Sequence, residues 1–545
     1  MTDRAEGGGA GIPAVPGTPN SAVADSSPWA PLAQRTFRWL WLGVLISYIG
    51  TWMQTVGAQW LLVDAPNAAA VVALVQAANT LPVMLLALPG GVLADSFDRR
   101  WLLFVVQAYF FVVGMLLVGL TIAGQMPPVL LLAFTFALGI GAAVQLPAWQ
   151  ATIPELVPRT QLRAATRLEM VGVNLARSAG PAMAGVVIAH LGGVPVVFAL
   201  NALSVVFLAV ALLFWRRPRA GADVRRERFV PALRAGGRYV WHEPVVRRIL
   251  FRAVLFIAPA TVLWALLPLI ARQRLGLGAD GYGALFGALG VGAISGALVL
   301  GRVRRHLSTN GLLAAAGFLY AAALAVLVLV PSFWAALVTL VFTGLAWTAV
   351  ISTLNAELQL FLPAWVRARG LAVYMVVFTG SQVAGSLLWG LVGQQAGLQV
   401  TFLLAAGVVA IGAIVGLFWR LPDTGQMDSE PAVYWTEPRL AFDPEPDSGP
   451  VLVTVDYTVA PERESEFLAA MERLRRSRRR TGATRWELYR DADRPDRFIE
   501  LFRVGSWEEH ERQHAGRLTA ADQEVEEAAL AFSDPPPRAD HLLPP

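Results

Sequence analysis

The chain of 545 residues is 55% hydrophobic and 15% charged, against about a quarter charged in an ordinary soluble domain. It has no cysteine and no lysine, which excludes disulfides, thiolate metal sites, cysteine nucleophiles and Schiff-base or phosphate-loop lysines. The net charge of +5 conceals a division: positions 421–545 hold 16 arginines and 26 acidic residues, whereas the first 420 hold 28 arginines and 13 acidic residues.

Residues 1–35, rich in Gly, Pro, Ala and Ser, read as a disordered tail without a cleavable signal pattern. Apolar runs follow near 38–60, 70–93, 102–123, 128–148, 168–190 and 194–215, then near 249–271, 281–301, 311–330, 334–355, 371–393 and 398–419. Each is long enough for a bilayer core of about 30 Å, which takes roughly 20 helical residues. The expectation is an all-α membrane protein with six-helix halves at 36–215 and 249–420, joined by a polar loop at 216–248.

Arginines collect in the connections after spans 2, 4, 6, 8 and 10, including Arg99, Arg100, Arg159, Arg216, Arg304 and Arg367; on the other side only Arg272 and Arg274 stand. By the positive-inside rule both termini and the central loop face the cytoplasm. An offset of 205 residues carries Gly91 onto Gly296, Arg99 onto Arg304, Pro158 onto Pro363, Gly180 onto Gly385, Gly185 onto Gly390 and Gly192 onto Gly397. Six spans repeated in one orientation make a parallel repeat, for which a transporter with a midplane site is the natural reading and an oligomeric scaffold or receptor the alternative.

The segment Gly90-Gly91-Val92-Leu93-Ala94-Asp95-Ser96-Phe97-Asp98-Arg99-Arg100 resembles the cytoplasmic loop signature of the major facilitator superfamily. The resemblance implies a gate in which Gly91 admits close helix approach, Asp95 acts as a latch, and Arg99 and Arg100 are its ionic surroundings; a charged loop that only sets topology is the alternative. Asn174, Arg177, Gly180, Pro181 and Gly185 in span 5 are similar to the superfamily's exporter signature, with Ala176 and Ala184 at places where glycine is usual. Small residues permit packing there and the proline permits a bend. The strings GTWMQTVGAQWLL (50–62), LPVMLLALPGGVLADSFDRR (81–100) and LPAWQATIPELVP (146–158) resemble the transmembrane secretion effector branch, which includes enterobactin-exporter-like proteins. That resemblance implies export of a small molecule (a drug, siderophore or secondary metabolite) by alternating access, with proton antiport as the family default; an importer of the same fold is the rival.

Arg177 stands near the middle of span 5, where insertion of an arginine costs about 2.5–3.5 kcal/mol. It reads either as a cavity residue that attracts an anionic or hydrogen-bonding substrate, or as a structural clamp between helices. Gln382 is its repeat mate. Gln54, Asn79, Asn174, Arg177 and Gln382 are expected to face the cavity, and Glu169 is the best carboxylate for proton coupling.

After an acidic, Pro-rich linker (421–449), VLVTVDYTV alternates as a strand, and Phe467, Leu468, Met471 and Leu474 share one face of a helix. TRWELYRD and RFIELFRV read as strands, Ser506 as a helix cap, and a last strand falls near His541. A ferredoxin-like α+β domain is expected over 450–545. It resembles the antibiotic-biosynthesis-monooxygenase-type domain, which implies self-association; a small oxygenase or ligand-sensing module is the alternative. His510-Glu511-Arg512-Gln513-His514 fits a zinc-protease spacing, but a small α+β unit offers no catalytic cleft. Arg473 to Arg480 are expected on a solvated helix face. The partners expected are a small-molecule substrate, protons and membrane lipid, with no cofactor, metal or nucleic acid.

Overall fold

The computed structural model describes residues 27–215, 237–422, 442 and 444–544. The tail at 1–26, Arg216 and Arg217, and most of the acidic linker lie outside the described residues. Six helices come first: α1 Arg35–Leu61, α2 Ala68–Ser96, α3 Arg99–Ile122, α4 Pro128–Leu156, α5 Leu162–His190 and α6 Val194–Phe214. The second set is α7 Pro244–Leu269, α8 Ala279–Val303, α9 Thr309–Leu329 and α10 Phe333–Phe361, followed by the 55-residue stretch Ala364–Phe418. Gly397, at φ 78°, breaks that stretch into α11 (364–396) and α12 (398–418). Its repeat mate Gly192 makes the α5–α6 turn at φ 108°. Both positions need the left-handed backbone that glycine adopts freely, so the repeat is written into the turns.

Ten of the described helices are long and apolar enough to cross a membrane, the Ala364–Phe418 stretch counting once. Its second limb and α1, which carries Arg35 and Arg38 in its first turn, bring the spans to twelve. The protein is a multi-pass membrane protein with a major facilitator architecture. Helix α7 begins at Pro244, five residues before the expected span, because Glu243 caps it by accepting from the Val245 N–H at 3.3 Å.

Glycines set the helix packing. A Cβ at Gly180 would stand 2.9 Å from the Ile49 carbonyl oxygen of α1, and at Gly385 it would stand 2.3 Å from the Ala258 oxygen of α7. At Gly185 it would meet the Ala279 oxygen of α8 at 2.5 Å, and at Gly390 the Ala73 Cβ of α2, also at 2.5 Å. Under the repeat α1 maps to α7 and α8 to α2, so the four contacts obey the internal two-fold. Between lipid-exposed helices, where no hydrophobic gradient draws partners together, such backbone approach supplies the association energy.

The last part of the chain is an antiparallel four-stranded sheet in the order β2-β3-β1-β4, with β1 Val451–Thr458, β2 Arg485–Arg490, β3 Arg497–Val504 and β4 Arg538–Leu542. Helices α13 Glu464–Thr481, α14 Trp507–Arg512 and α15 Ala520–Leu530 complete a ferredoxin-like unit. Phe467, Met471 and Leu474 pack on the sheet as expected, but Leu468 is 43% exposed. Arg478 is not on a solvated face. It is buried against Glu500 (3.3 Å) and Glu526 (2.7 Å), and Glu500 also accepts from Tyr457 and Trp486.

This unit is docked on the starts of α7 and α11. Arg480 of α13 pairs with Glu243, the α7 cap, and with Asp522 at 2.5 Å. Arg238, in the helical residues 237–242, pairs with Glu509 at 2.8 Å. The Arg517 guanidinium lies 5.0 Å over the ring of Trp365, whose other neighbour is the edge-on ring of Tyr239. Removing Arg480 leaves Glu243 and Asp522 buried without their cation, and breaking such a pair costs on the order of 3–5 kcal/mol. Arg480→Ala is therefore expected to raise hydrogen exchange of the full chain at 237–246 and 476–481; unchanged protection there would show that the contact does not hold the two parts together.

His510 packs against His514 and His541 with ring centroids 4.8 and 4.9 Å apart. Among the described residues no group of His, Asp and Glu is arranged to hold a metal ion. Burial, aided by neighbouring positive charge, pushes His510 and His514 down to about 3. The unfolded rings titrate near 6.5, so as pH falls the unfolded state takes up protons first. The α+β unit is then expected to lose stability from about pH 6.5 downward, by up to about 1.4 kcal/mol per pH unit for each ring. Histidine ring resonances of the labelled full chain should show both rings neutral at pH 5; midpoints near 6.5 would contradict their burial.

Candidate functional site: a midplane cavity beside a half-buried arginine

Near the middle of the first six helices lies a cavity of about 360 Å³. Tyr48, Gln54 and Thr55 of α1, Gln76 and Asn79 of α2, Gln145 of α4 and Asn201 of α6 contribute polar groups to its wall, between apolar stretches from Trp52, Val83, Phe110 and Leu138. The wall carries no charged side chain. Gln54 and Asn201 are hydrogen-bonded to each other across α1 and α6. Just behind the wall, Glu169 of α5 accepts from the Tyr48 hydroxyl at 3.2 Å.

Arg177 points the other way, into a second and very small cavity of about 10 Å³ lined by Trp264 of α7, Phe286, Leu289, Gly290 and Ala293 of α8, and Gly344 and Trp347 of α10. Trp52 stands between the two spaces: it lines the larger one, carries the Arg177 guanidinium 5.9 Å from its ring centre, and meets Trp264 and Phe286 at 6.1 Å each.

The two halves meet on the side away from the arginine clusters. Gln59, buried near the end of α1, donates to the Trp264 carbonyl at 3.1 Å and accepts from the Tyr282 hydroxyl at 2.7 Å. Trp60 stacks on Tyr282 at 5.8 Å, and Asp64 pairs with Arg272 at 3.0 Å. The Asp64–Arg272 pair is solvent-exposed on both partners, and such pairs contribute about 0–1 kcal/mol. The buried Gln59 bonds and the Gly185 and Gly390 seams therefore carry the closure. The inter-half contacts named here lie at the midplane or on this closed side.

On the arginine-rich side, Arg99 is the hub. It donates to the Ala94 and Ala151 carbonyls, pairs with Glu155 of α4 at 2.6 Å and reaches Asp95 at 3.0 Å. Arg100 donates to the carbonyls of Leu212 and Leu213 at the end of α6, a favourable place for a cation at a helix C-terminus. Asp98 caps α3 through the Arg100 N–H. Asp95 is 64% exposed and, among the described residues, tied only to Arg99 of the next turn.

The profile of the transmembrane secretion effector family matches residues 26–544. The chain belongs to this branch of the major facilitator superfamily. It is 27% identical over 407 residues to the multidrug efflux pump Tap of Mycobacterium tuberculosis, covering 71% of this chain and 93% of that protein. A shorter match, 29% over 143 residues, joins it to the staphyloferrin A transporter of Staphylococcus aureus and covers 26% of this chain and 36% of that transporter's length. Among solved structures it resembles a bacterial homolog of the human lysosomal transporter Spinster in an inward-facing, occupied conformation, with TM-score 0.57 and 14% identity over 71% of this chain and 96% of that one. A D-xylose–proton symporter matches equally, with TM-score 0.57 and 14% identity over 72% and 98% of the two chains. The family and these relatives are transporters, not enzymes.

Of the residues singled out in the sequence, Gln54 and Asn79 line the large cavity. Asn174 turns its amide onto the Met170 carbonyl of its own helix at 2.8 Å, and Gln382 lines neither cavity. Gly91 is not the close-approach glycine: a Cβ there meets open space, whereas one at Gly90 would stand 2.5 Å from the Ala143 oxygen of α4. Gln76 and Thr80 went unremarked, although Gln76, Asn79, Thr80 and Val83 follow the i, i+3, i+4, i+7 spacing that marks one helix face. Glu155 and the paired role of Gln59 had no local signal, since each depends on a helix remote in sequence.

A chain without cysteine is a clean background for cross-linking. Asp64→Cys with Arg272→Cys is expected to be joined efficiently by a short bis-maleimide cross-linker, and adding Gly185→Leu, which drives a side chain into the α8 backbone, is expected to cut the cross-linked fraction severalfold. An equal yield in the triple variant would remove the α5–α8 seam from the closure.

Proposed function

We propose that the protein exports a small organic molecule across the cytoplasmic membrane by alternating access, coupled to protons, with its termini and arginine-rich side in the cytoplasm. The observation that carries this reading is the midplane cavity beside a closure confined to the side poor in arginine. By the positive-inside rule that side is external, so the conformation is open to the compartment from which an exporter loads. The efflux function in the name of the Tap relative supports the direction.

The moving bodies are the halves 36–215 and 249–420, rocking about the Gly185 and Gly390 seams. When the external closure opens, the cytoplasmic side closes, and the exposed Asp95 becomes available to a helix N-terminus or an arginine of the other half, which is the latch role. Glu169 couples protons to the cavity through Tyr48: an ionised carboxylate holds the hydroxyl, and a protonated one releases it to the cavity wall.

Inverted membrane vesicles test this with a panel of anionic, neutral and cationic fluorescent dyes. Wild-type vesicles are expected to accumulate at least one dye in the lumen and to lose it when a protonophore is added. Asp95→Asn should slow uptake about tenfold at equal membrane abundance, and Glu169→Gln should remove the response to the protonophore. Movement toward the lumen that ignores the proton gradient would exclude the coupling; a panel of dyes and drugs with no movement toward the lumen would exclude export.

A further inference from the structure

We propose that the Arg177 box is the anion-recognising end of the substrate site and that the transported molecule is an organic anion with a flat apolar body. The inference rests on the transporter reading above and names the substrate class of the same site. Its basis is a charge without a partner. Among the described residues Arg177 has neither a hydrogen bond nor an ion pair, and its Nε is buried. Four acids of the membrane-embedded part are committed elsewhere. Asp64 is paired with Arg272, Asp95 and Glu155 with Arg99, and Glu357 accepts from Thr309 at 3.0 Å. Glu169 lies eight residues back on the same helix, about 12 Å along its axis at 1.5 Å per residue, and is bonded to Tyr48.

The surroundings attract the cation without neutralising it. Trp52, Trp264, Phe286 and Trp347 present rings to the guanidinium or line its cavity. A ring quadrupole stabilises a cation but leaves its charge in place, so an arriving carboxylate, sulfonate or phosphate gains the full charge-assisted pairing. A cationic molecule is repelled from the same position. The neutral polar wall of the large cavity has no second charge to recognise, whereas its aromatic and aliphatic parts suit an apolar body. Trp52 separates the two spaces, and turning its side chain joins them, so the acid group reaches Arg177 while the body lies in the larger cavity.

Equilibrium dialysis of the full chain in lipid nanodiscs tests the assignment, with 2-naphthoate, the uncharged 2-naphthamide and the cationic 2-naphthylmethylammonium as probes. Wild type is expected to bind naphthoate at least tenfold more tightly than naphthamide and the cation least. Arg177→Gln should abolish the preference for naphthoate over naphthamide, and Arg177→Lys should retain part of it. Equal binding of the three probes, no binding of any of them by wild type, or a preference that survives Arg177→Gln would overturn the proposal. A merely structural arginine would lower the melting temperature in Arg177→Gln without moving the ratio. Gradient-driven movement of a dye toward the lumen with no naphthoate preference overturns this inference and leaves export standing; an Arg177-dependent preference without directed transport does the reverse.

Discussion

The architecture depends on two places where helix backbones touch across the halves. Gly185 of α5 lies against Ala279 and Gly283 of α8, and Gly390 of α11 lies against Ala69 and Ala73 of α2. Larger residues would separate these helices by the width of a side chain, and no compensating hydrophobic gain exists in lipid. The α5–α8 seam continues inward through Gly283 under Pro181 and Gly290 under Ser178. The result is a smooth track rather than an interlocked one. Halves joined in this way can tilt without first breaking ridges out of grooves, which is what a rocking transporter requires.

Polar contacts then decide where the closure is firm. Gln59 is buried and spends both ends of its amide on the second half, so separation there exposes or orphans three polar groups. Asp64 and Arg272 rehydrate on separation at little cost. Opposing this stands Arg177, which leaves a charge uncompensated next to the same aromatic cluster that Gln59 helps to pin through Trp264. The closed, arginine-poor side and the unpaired arginine are neighbours. A ligand that pairs with Arg177 therefore acts on the packing of Trp52, Trp264 and Phe286, close to the elements that must move.

Much of the frame was legible from composition and pattern, because span length, arginine placement and the 205-residue offset are each imposed by one dominant force or by duplication. Gly192 and Gly397 show this most directly: identical offsets, identical backbone need. The site was legible where single polar residues interrupt apolar spans, as at Gln54 of α1 and Asn79 of α2. It failed where the meaning of a residue depends on a distant helix. Gly90 and Gly91 are indistinguishable in sequence, yet α4 crosses at one and not the other. Arg478 and Arg480 look like solvated charges among many arginines, yet one is buried beneath the sheet and the other joins the sheet domain to α7.

That last contact gives the α+β unit a definite mechanical position. Its anchors, Glu243 and Trp365, stand at the starts of α7 and α11, the helices that carry Trp264 and Gly390 at greater depth. Both belong to the second half, so the unit rides with that half and does not staple the two together. Glu243 performs two tasks with one carboxylate, capping α7 and receiving Arg480. Displacement of the unit would loosen the first turn of α7 as well as the interface. Helix α7 is buried along most of its length and carries Trp264, whose carbonyl accepts from Gln59 and whose ring meets Trp52 and lines the Arg177 box. The domain is thus connected to the Trp264 cluster through a single helix.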